Sequence, residues 1–160
     1  MRITLRPITR DNFEAVADLR VHAQQRNFLA SNSYSIAEAS FNPCLITRAV
    51  YADAQPVGFM MYVCPEPTAE QGEYAIWRFM IAAEQQGKGY GRQALHCLLA
   101  EIRGHADVVR ILISYWPDNT AAQRFYASFG FRELGIDADG EMVAVLDCAP
   151  NERLSAPYAM

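Results

Sequence analysis

Three glycines at alternate positions, Gly87, Gly89 and Gly91, stand between an aromatic run and the most clearly amphipathic stretch of the chain. That arrangement narrows what the chain can fold into. Glycine accepts positive φ and lets backbone approach a ligand closely. A loop that opens a helix leaves several N–H groups without intrahelical acceptors, and those groups with the helix dipole favour an anion such as phosphate. Lys88 and Arg92 add positive charge beside the loop. The phosphate loop GxxxxGK[ST] is absent, and the glycine order Gly87-x-Gly89-x-Gly91 is not the dinucleotide fingerprint GxGxxG.

On either side of the loop the hydrophobic period changes from two to 3.6. Residues 73–81 (Glu73-Tyr74-Ala75-Ile76-Trp77-Arg78-Phe79-Met80-Ile81) form an aromatic strand, and Ala94, Leu95, Leu98, Leu99 and Ile102 mark one face of a helix ending near Gly104. Upstream, residues 2–8 alternate as a strand. Thr9 or Asp11 then caps a helix carrying Phe13, Val16, Ala17, Leu19, Arg20 and Ala23. Ser35 followed by Glu38 reads as a capping box, so a short second helix is expected over 35–41. Strands over 45–52 and 56–63 meet at a hairpin turn, Asp53-Ala54-Gln55, and 64–72 is a proline-containing loop.

Downstream, the near-continuous apolar run 108–116 predicts a strand covered on both faces. Pro117 stops it, Asp118 or Asn119 caps a helix over 120–128, and Gly130 ends that helix. Strands over 131–136 and 141–147 close the domain around Asp139-Gly140, a hairpin signal. The order β-α-α-β-β-β-α-β-α-β-β is α/β with a mixed, mostly antiparallel sheet. It is not doubly wound, because three consecutive strands precede the glycine loop without crossover helices. A single domain over 1–148 and a tail over 149–160 are expected.

A chain of 160 residues, 51% of them apolar, can bury a sizeable core as one domain. A net charge of −4 argues against nucleic acid as a partner. Cys44, Cys64, Cys97 and Cys148 make no CxxC or Cys/His cluster, so no metal is expected and reduced thiols in a cytoplasmic protein are. The N-terminus lacks a signal-peptide pattern, and no apolar run approaches the roughly 20 residues of a membrane helix.

The segment Gln86-Gly87-Lys88-Gly89-Tyr90-Gly91 fits the pattern Q/R-x-x-G-x-G/A. With Asn119-x-x-Ala122-x-x-x-Tyr126 and Phe129-Gly130-Phe131 on the next helix, it resembles the GNAT acetyltransferase superfamily, and the element order is similar from residue 2 to about 147. Within it, Ile76–Ile81, Gln86–Gly91 and Asn32-Ser33-Tyr34-Ser35 resemble the bacterial diamine (spermidine/spermine) N-acetyltransferases. The resemblance implies a GNAT-like domain of about seven strands and about four helices that binds acetyl-CoA and acetylates a small amine, a polyamine such as spermidine or spermine. It also implies a homodimer.

The resemblance assigns the amides of Phe79, Met80 and Ile81 to the pantetheine arm and those from Gly87 to Arg92 to the pyrophosphate. Asn119 would bond the arm or a water beside it. Tyr126 would be the general acid for the leaving thiolate: a phenol of pKa near 10 is protonated at neutral pH. Phe125 and Phe129, at i and i+4, read as core. The attacking amine must lose a proton, since with pKa near 10.4 only about one molecule in 10³ is neutral at pH 7. Glu73, taken to share a strand face with Trp77, is the candidate base. Trp77 and Trp116 are candidate aromatic walls for an ammonium, with core packing as the alternative. Glu38, Glu66 and Glu70 are further candidate contacts for a cationic acceptor. Other acceptors (an aminoglycoside, an amino acid, a protein N-terminus) stay open, as does a non-catalytic acetyl-CoA sensor.

Overall fold

The computed structural model describes residues 1–67 and 72–148. Seven strands form one sheet: β1 (Ile3–Arg6), β2 (Leu45–Ala52), β3 (Gln55–Val63), β4 (Glu73–Ile81), β5 (Arg110–Tyr115), β6 (Arg132–Ile136) and β7 (Met142–Asp147), in the spatial order β1-β2-β3-β4-β5-β7-β6. Among the described residues only β4 and β5 pair in parallel; every other neighbour is antiparallel. The helices are α1 (Phe13–Ala17), α2 (Asn32–Phe41), α3 (Tyr90–Arg103) and α4 (Thr120–Ala127).

The sheet separates two cores. On one face, α3 buries Ala94, Leu95, Leu98, Leu99 and Ile102 against Val50, Met60, Ile76 and Ile111. These are the apolar positions that the helical period marks. Leu95, Leu98 and Ile102 are fully buried, each contributing roughly 1.5–3 kcal/mol relative to exposure. On the other face, Val16 of α1 packs with Leu45, Ala49, Phe59, Met61 and Met80. Asn32 ties this second layer together: its Nδ2 donates to the Val16 carbonyl at 2.9 Å and to Met80 Sδ at 3.6 Å.

The structure differs from the sequence expectations at three places in the first half and one in the second. The first helix stops at Ala17 rather than running to Ala23, and Arg20 folds its guanidinium back onto the carbonyls of Ala17 and Leu19. A 3₁₀ turn over Ala23–Phe28 follows instead. The second helix starts at Asn32, because Ser31 is the N-cap and accepts from Tyr34 N–H at 3.1 Å. Ser35 is fully buried and accepts from Arg78 Nε at 3.2 Å, so it is not the cap. In β5 only Ile111, Ile113 and Tyr115 are buried, and Ser114 is exposed, so the strand is covered on one face. The tail over 149–160 lies outside the described residues.

Candidate functional site

The parallel ladder between β4 and β5 runs only from Glu73↔Arg110 to Ile76↔Ile113. Beyond it the strands part. The cause is local: on its other edge β4 pairs Arg78 with Met61 and Ile76 with Tyr62, so Trp77 has no partner of its own. Such a bulge bends its strand and increases its twist. It also shifts the face alternation by one. Tyr74 and Ile76 before it, and Phe79 and Ile81 after it, all point to the α3 side. The alternation that Glu73 begins therefore does not carry through Trp77 to Phe79.

The gap is the floor of a cleft of about 1060 Å³. One wall is the glycine loop and the start of α3. A second is the end of β5 and α4, with Tyr115, Asn119, Phe125 and Tyr126. Val21, Phe28 and Leu29 from the irregular segment between α1 and α2 close a third side, and the β6–β7 hairpin brings Asp137, Asp139 and Glu141 to the far end.

Backbone geometry selects which β4 amides face the gap. Ala82 N–H donates to the Val57 carbonyl at 2.8 Å, so by alternation Met80 and Arg78 point their peptide groups at β3. The peptide groups of Phe79 and Ile81 point the other way, and the Ile81 carbonyl accepts from Gln86 Nε2 at 2.9 Å. Of the three expected amides, Phe79 and Ile81 are directed into the gap and Met80 is not.

The loop is built for close approach. Gly87 and Gly89 have φ of +75° and +78°, and a Cβ at either would meet nothing within 4 Å. Their glycine identity answers to backbone conformation and leaves open space above the loop. Gly91 is different: a Cβ there would sit 3.7 Å from Ile81 and Phe79, an ordinary contact of helix on strand. Gly89 is the N-cap of α3 and offers no side chain. The first intrahelical bond is Gln93 N–H to the Gly89 carbonyl at 3.3 Å, which leaves the amides of Tyr90, Gly91 and Arg92 without intrahelical acceptors. The Tyr90 side chain is buried and donates to Met1 Sδ at 2.7 Å, so that residue can serve the loop only through its backbone. Gln86 holds the loop in place, since its Nε2 also donates to Gln25 Oε1 at 2.9 Å. Lys88 is exposed beside the loop and donates to Gln85 Oε1 at 2.9 Å; Arg92 donates to Ser128 Oγ at 2.8 Å with its guanidinium 4.9 Å from the Phe129 ring. Open space, unclaimed amides and two flanking cations fit a pyrophosphate.

Tyr126 is buried and lines the cleft. Its ring stacks on Tyr115 at 5.8 Å and meets Phe125 edge-on at 5.3 Å. Burial, with Tyr115 beside it, raises its hydroxyl well above the ordinary phenol range, which keeps it a proton donor. Asn119 is the N-cap of α4, its Oδ1 accepting from Ala122 N–H at 3.1 Å.

The chain matches the profile of the Acetyltransferase (GNAT) family over residues 7–131. The chain belongs to the GNAT acetyltransferase family. It is 32% identical over 149 residues to the spermine/spermidine N(1)-acetyltransferase of Bacillus subtilis, an alignment covering 91% of this chain and 98% of that one. Among solved structures, aminoglycoside acetyltransferase AAC(6')-Ib in complex with coenzyme A superposes with a TM-score of 0.77 at 18% identity, covering 96% of this chain and 99% of that one. PaiA N-acetyltransferase of Thermoplasma acidophilum in complex with coenzyme A gives 0.71 at 14% identity, covering 92% and 100%. The protein is thus an N-acetyltransferase of the acyltransferase class with acetyl-CoA as co-substrate. Among the described residues no group of three or more His, Cys, Asp or Glu side chains could hold a metal ion, and no helix is long and apolar enough to cross a membrane.

Of the residues expected at the acceptor, Trp77 and Trp116 both line the cavity and are 45% and 38% exposed, so neither is a core residue. Glu73 is placed elsewhere. It sits at the start of β4, outside the cleft, and its carboxylate is bonded to Arg110 Nη2 at 2.6 Å. Glu38 is held by Arg78 at 3.4 Å and reaches the cleft only through that guanidinium. Glu66 is exposed and not a lining residue; Glu70 lies outside the described residues. The acidic groups that do line the cleft, Asp137, Asp139 and Glu141, come from the hairpin that the sequence marks only as a turn. Three carboxylates in five residues, Asp137-Ala138-Asp139-Gly140-Glu141, are the signal that could have found them.

Proposed function

We propose that this GNAT enzyme acetylates a polyamine of the spermidine/spermine type by direct attack of the amine on the acetyl-CoA thioester. The observation that carries the acceptor is the far end of the cleft. It combines the carboxylates Asp137, Asp139 and Glu141 with two half-exposed indoles, Trp77 and Trp116. Carboxylates attract ammonium groups along a linear polycation, and indole faces hold them by cation–π contact, each worth about 0.5–2 kcal/mol. The name of the Bacillus relative supports the same acceptor.

The thioester would lie across the β4–β5 gap, its pantetheine arm paired with the peptide groups of Phe79 and Ile81 as an added strand and its pyrophosphate on the amides from Gly87 to Arg92. Asn119 stands at the arm's edge. As the amine nitrogen bonds to the acetyl carbon and the C–S bond breaks, Tyr126 donates its proton to the departing sulfur. The exposed edge strand β6, with Leu134 and Ile136 each 55% exposed, supports a homodimer, and four free thiols support a cytoplasmic setting.

A steady-state panel tests the acceptor. Spermine and spermidine are expected to show kcat/KM at least tenfold above kanamycin, diaminobutyrate, free amino acids and an N-terminal alanyl peptide. A preference for any of these over both polyamines overturns the polyamine reading. Tight CoA binding with no acetylation of any amine would favour a sensor.

A further inference from the structure

We infer that Glu141 takes the proton that the acceptor ammonium must lose before it attacks. The inference rests on the reading of the cleft as the place of amine attack and adds to it a catalytic residue.

Three carboxylates line the cleft; one is engaged within the hairpin, and the other two differ in exposure. Asp137 Oδ1 accepts from Asp139 N–H at 3.0 Å and from Glu141 N–H at 2.9 Å, which makes it the brace of the hairpin. Asp139 is exposed at the turn, where water screens it. Glu141 is half-buried, and among the described residues its carboxylate has no hydrogen-bond or ion-pair partner.

Its place in the sheet is also the right one. Met142, the next residue, pairs with Tyr115 at the end of β5, and the Tyr115 ring is 5.8 Å from that of Tyr126. Glu141 thus stands one residue past the register partner of Tyr115, at the open end of the β4–β5 gap. Trp116 packs over the neighbouring Gly140, where a Cβ would lie 3.7 Å from the indole. The groups that face Glu141 are Asp137 and Asp139 from its own hairpin and Arg78 from β4, the last already paired with Glu38 of α2. Burial and the two aspartates hold the Glu141 carboxyl above the usual carboxylate range, with Arg78 opposing. A base whose pKa is nearer the working pH is the more effective one. Tyr115 and Tyr126 are excluded as bases: burial and the Glu133 carboxylate raise Tyr115 to about 12, and Tyr126 is raised as well, so both stay protonated.

The protons balance. The ammonium gives one proton to Glu141, which releases it to solvent. The neutral nitrogen bonds to the acetyl carbon, the C–S bond breaks, and the sulfur takes the Tyr126 proton. The second proton leaves the nitrogen as the amide forms and restores Tyr126.

The test is kcat/KM against pH from 6.5 to 10 for the wild type and Glu141→Gln, with spermine as acceptor, and acetyl-CoA affinity by calorimetry. Glu141→Gln is expected to lower kcat/KM at pH 7 by roughly 10²-fold or more, with kcat carrying most of the loss. The deficit shrinks as pH approaches the amine pKa, where the free base supplies itself, and acetyl-CoA affinity is unchanged. An unchanged profile overturns the proposal. So does a loss carried by KM alone and constant with pH, which would make Glu141 only an ammonium contact. If the wild type prefers another amine, the same comparison on that amine tests Glu141 separately from the polyamine reading.

Discussion

Ile76 and Ile113 are the last register pair of the parallel β4–β5 ladder, and the residue after Ile76, Trp77, is the bulge on the opposite edge of β4. The end of the ladder and the bulge coincide. Bending at Trp77 carries Phe79 and Ile81 away from β5 while α3 still packs beneath them, so a gap opens in an otherwise continuous sheet. The same displacement puts the Trp77 indole at the cleft surface.

Gly89→Ala should separate the loop's conformation from its space. At φ +78° an L-residue costs about 1–2 kcal/mol, which for a chain of this size lowers Tm by roughly 2–8 °C. The methyl enters the open space above the loop, so the Kd for CoA should rise at least tenfold. Thermal melts and calorimetry check both; an unchanged Kd would show that no ligand approaches Gly89.

Tyr126→Phe should lower kcat by about 10²–10⁴ while leaving CoA affinity intact. Because burial raises the Tyr126 hydroxyl, it stays protonated throughout the range below pH 10. The wild-type kcat should therefore show no alkaline fall from loss of the acid before pH 10. A fall centred near pH 8 or 9 would assign the acid to another group.

Most of the elements were legible because their periodicity is strong: α3 over Tyr90–Arg103 and the strands of β2 to β4 lie where apolar spacing and turn residues put them. The glycine loop was legible from chemistry, since alternate glycines at a strand–helix junction have few uses. The bulge at Trp77 was not. It depends on the register of β3 against β4, a property of two strands that neither carries alone, and without it strict alternation puts Glu73 and Phe79 on one face. The Glu73–Arg110 pair is also a matter of register, because Glu73↔Arg110 begins the β4–β5 ladder. Ser31 prevailed over Ser35 as the α2 cap because Ser35 is needed under Arg78. The acidic hairpin was hidden by its own turn signal: Asp139-Gly140 explains a hairpin without asking where the carboxylates point.

Asp139→Asn should act on polycations alone. Its carboxylate is exposed, and exposed charge pairs are worth about 0.2–1 kcal/mol, so KM for spermine should rise roughly two- to fivefold with kcat preserved. The effect should fade at 0.5 M salt, and KM for a monoamine should not move. An equal loss for both acceptors would place Asp139 outside ammonium recognition.

Leu98→Ala tests the core beneath the site. Leu98 is fully buried on α3, and removing three buried carbons should cost about 2–5 kcal/mol of stability. Denaturant unfolding should show a lower midpoint, while kcat below the transition stays near wild type. A stability loss under 1 kcal/mol would mean that α3 is not packed as described.

In the proposed reaction the β4–β5 gap holds the thioester between Tyr126 and Glu141. A crystal structure with CoA and spermine bound measures it directly. The CoA sulfur is expected within about 3.5 Å of the Tyr126 hydroxyl and one spermine nitrogen within hydrogen-bond reach of Glu141, directly or through one water. A sulfur lying away from Tyr126, or spermine bound with no amine near the Asp137–Glu141 hairpin, would contradict it.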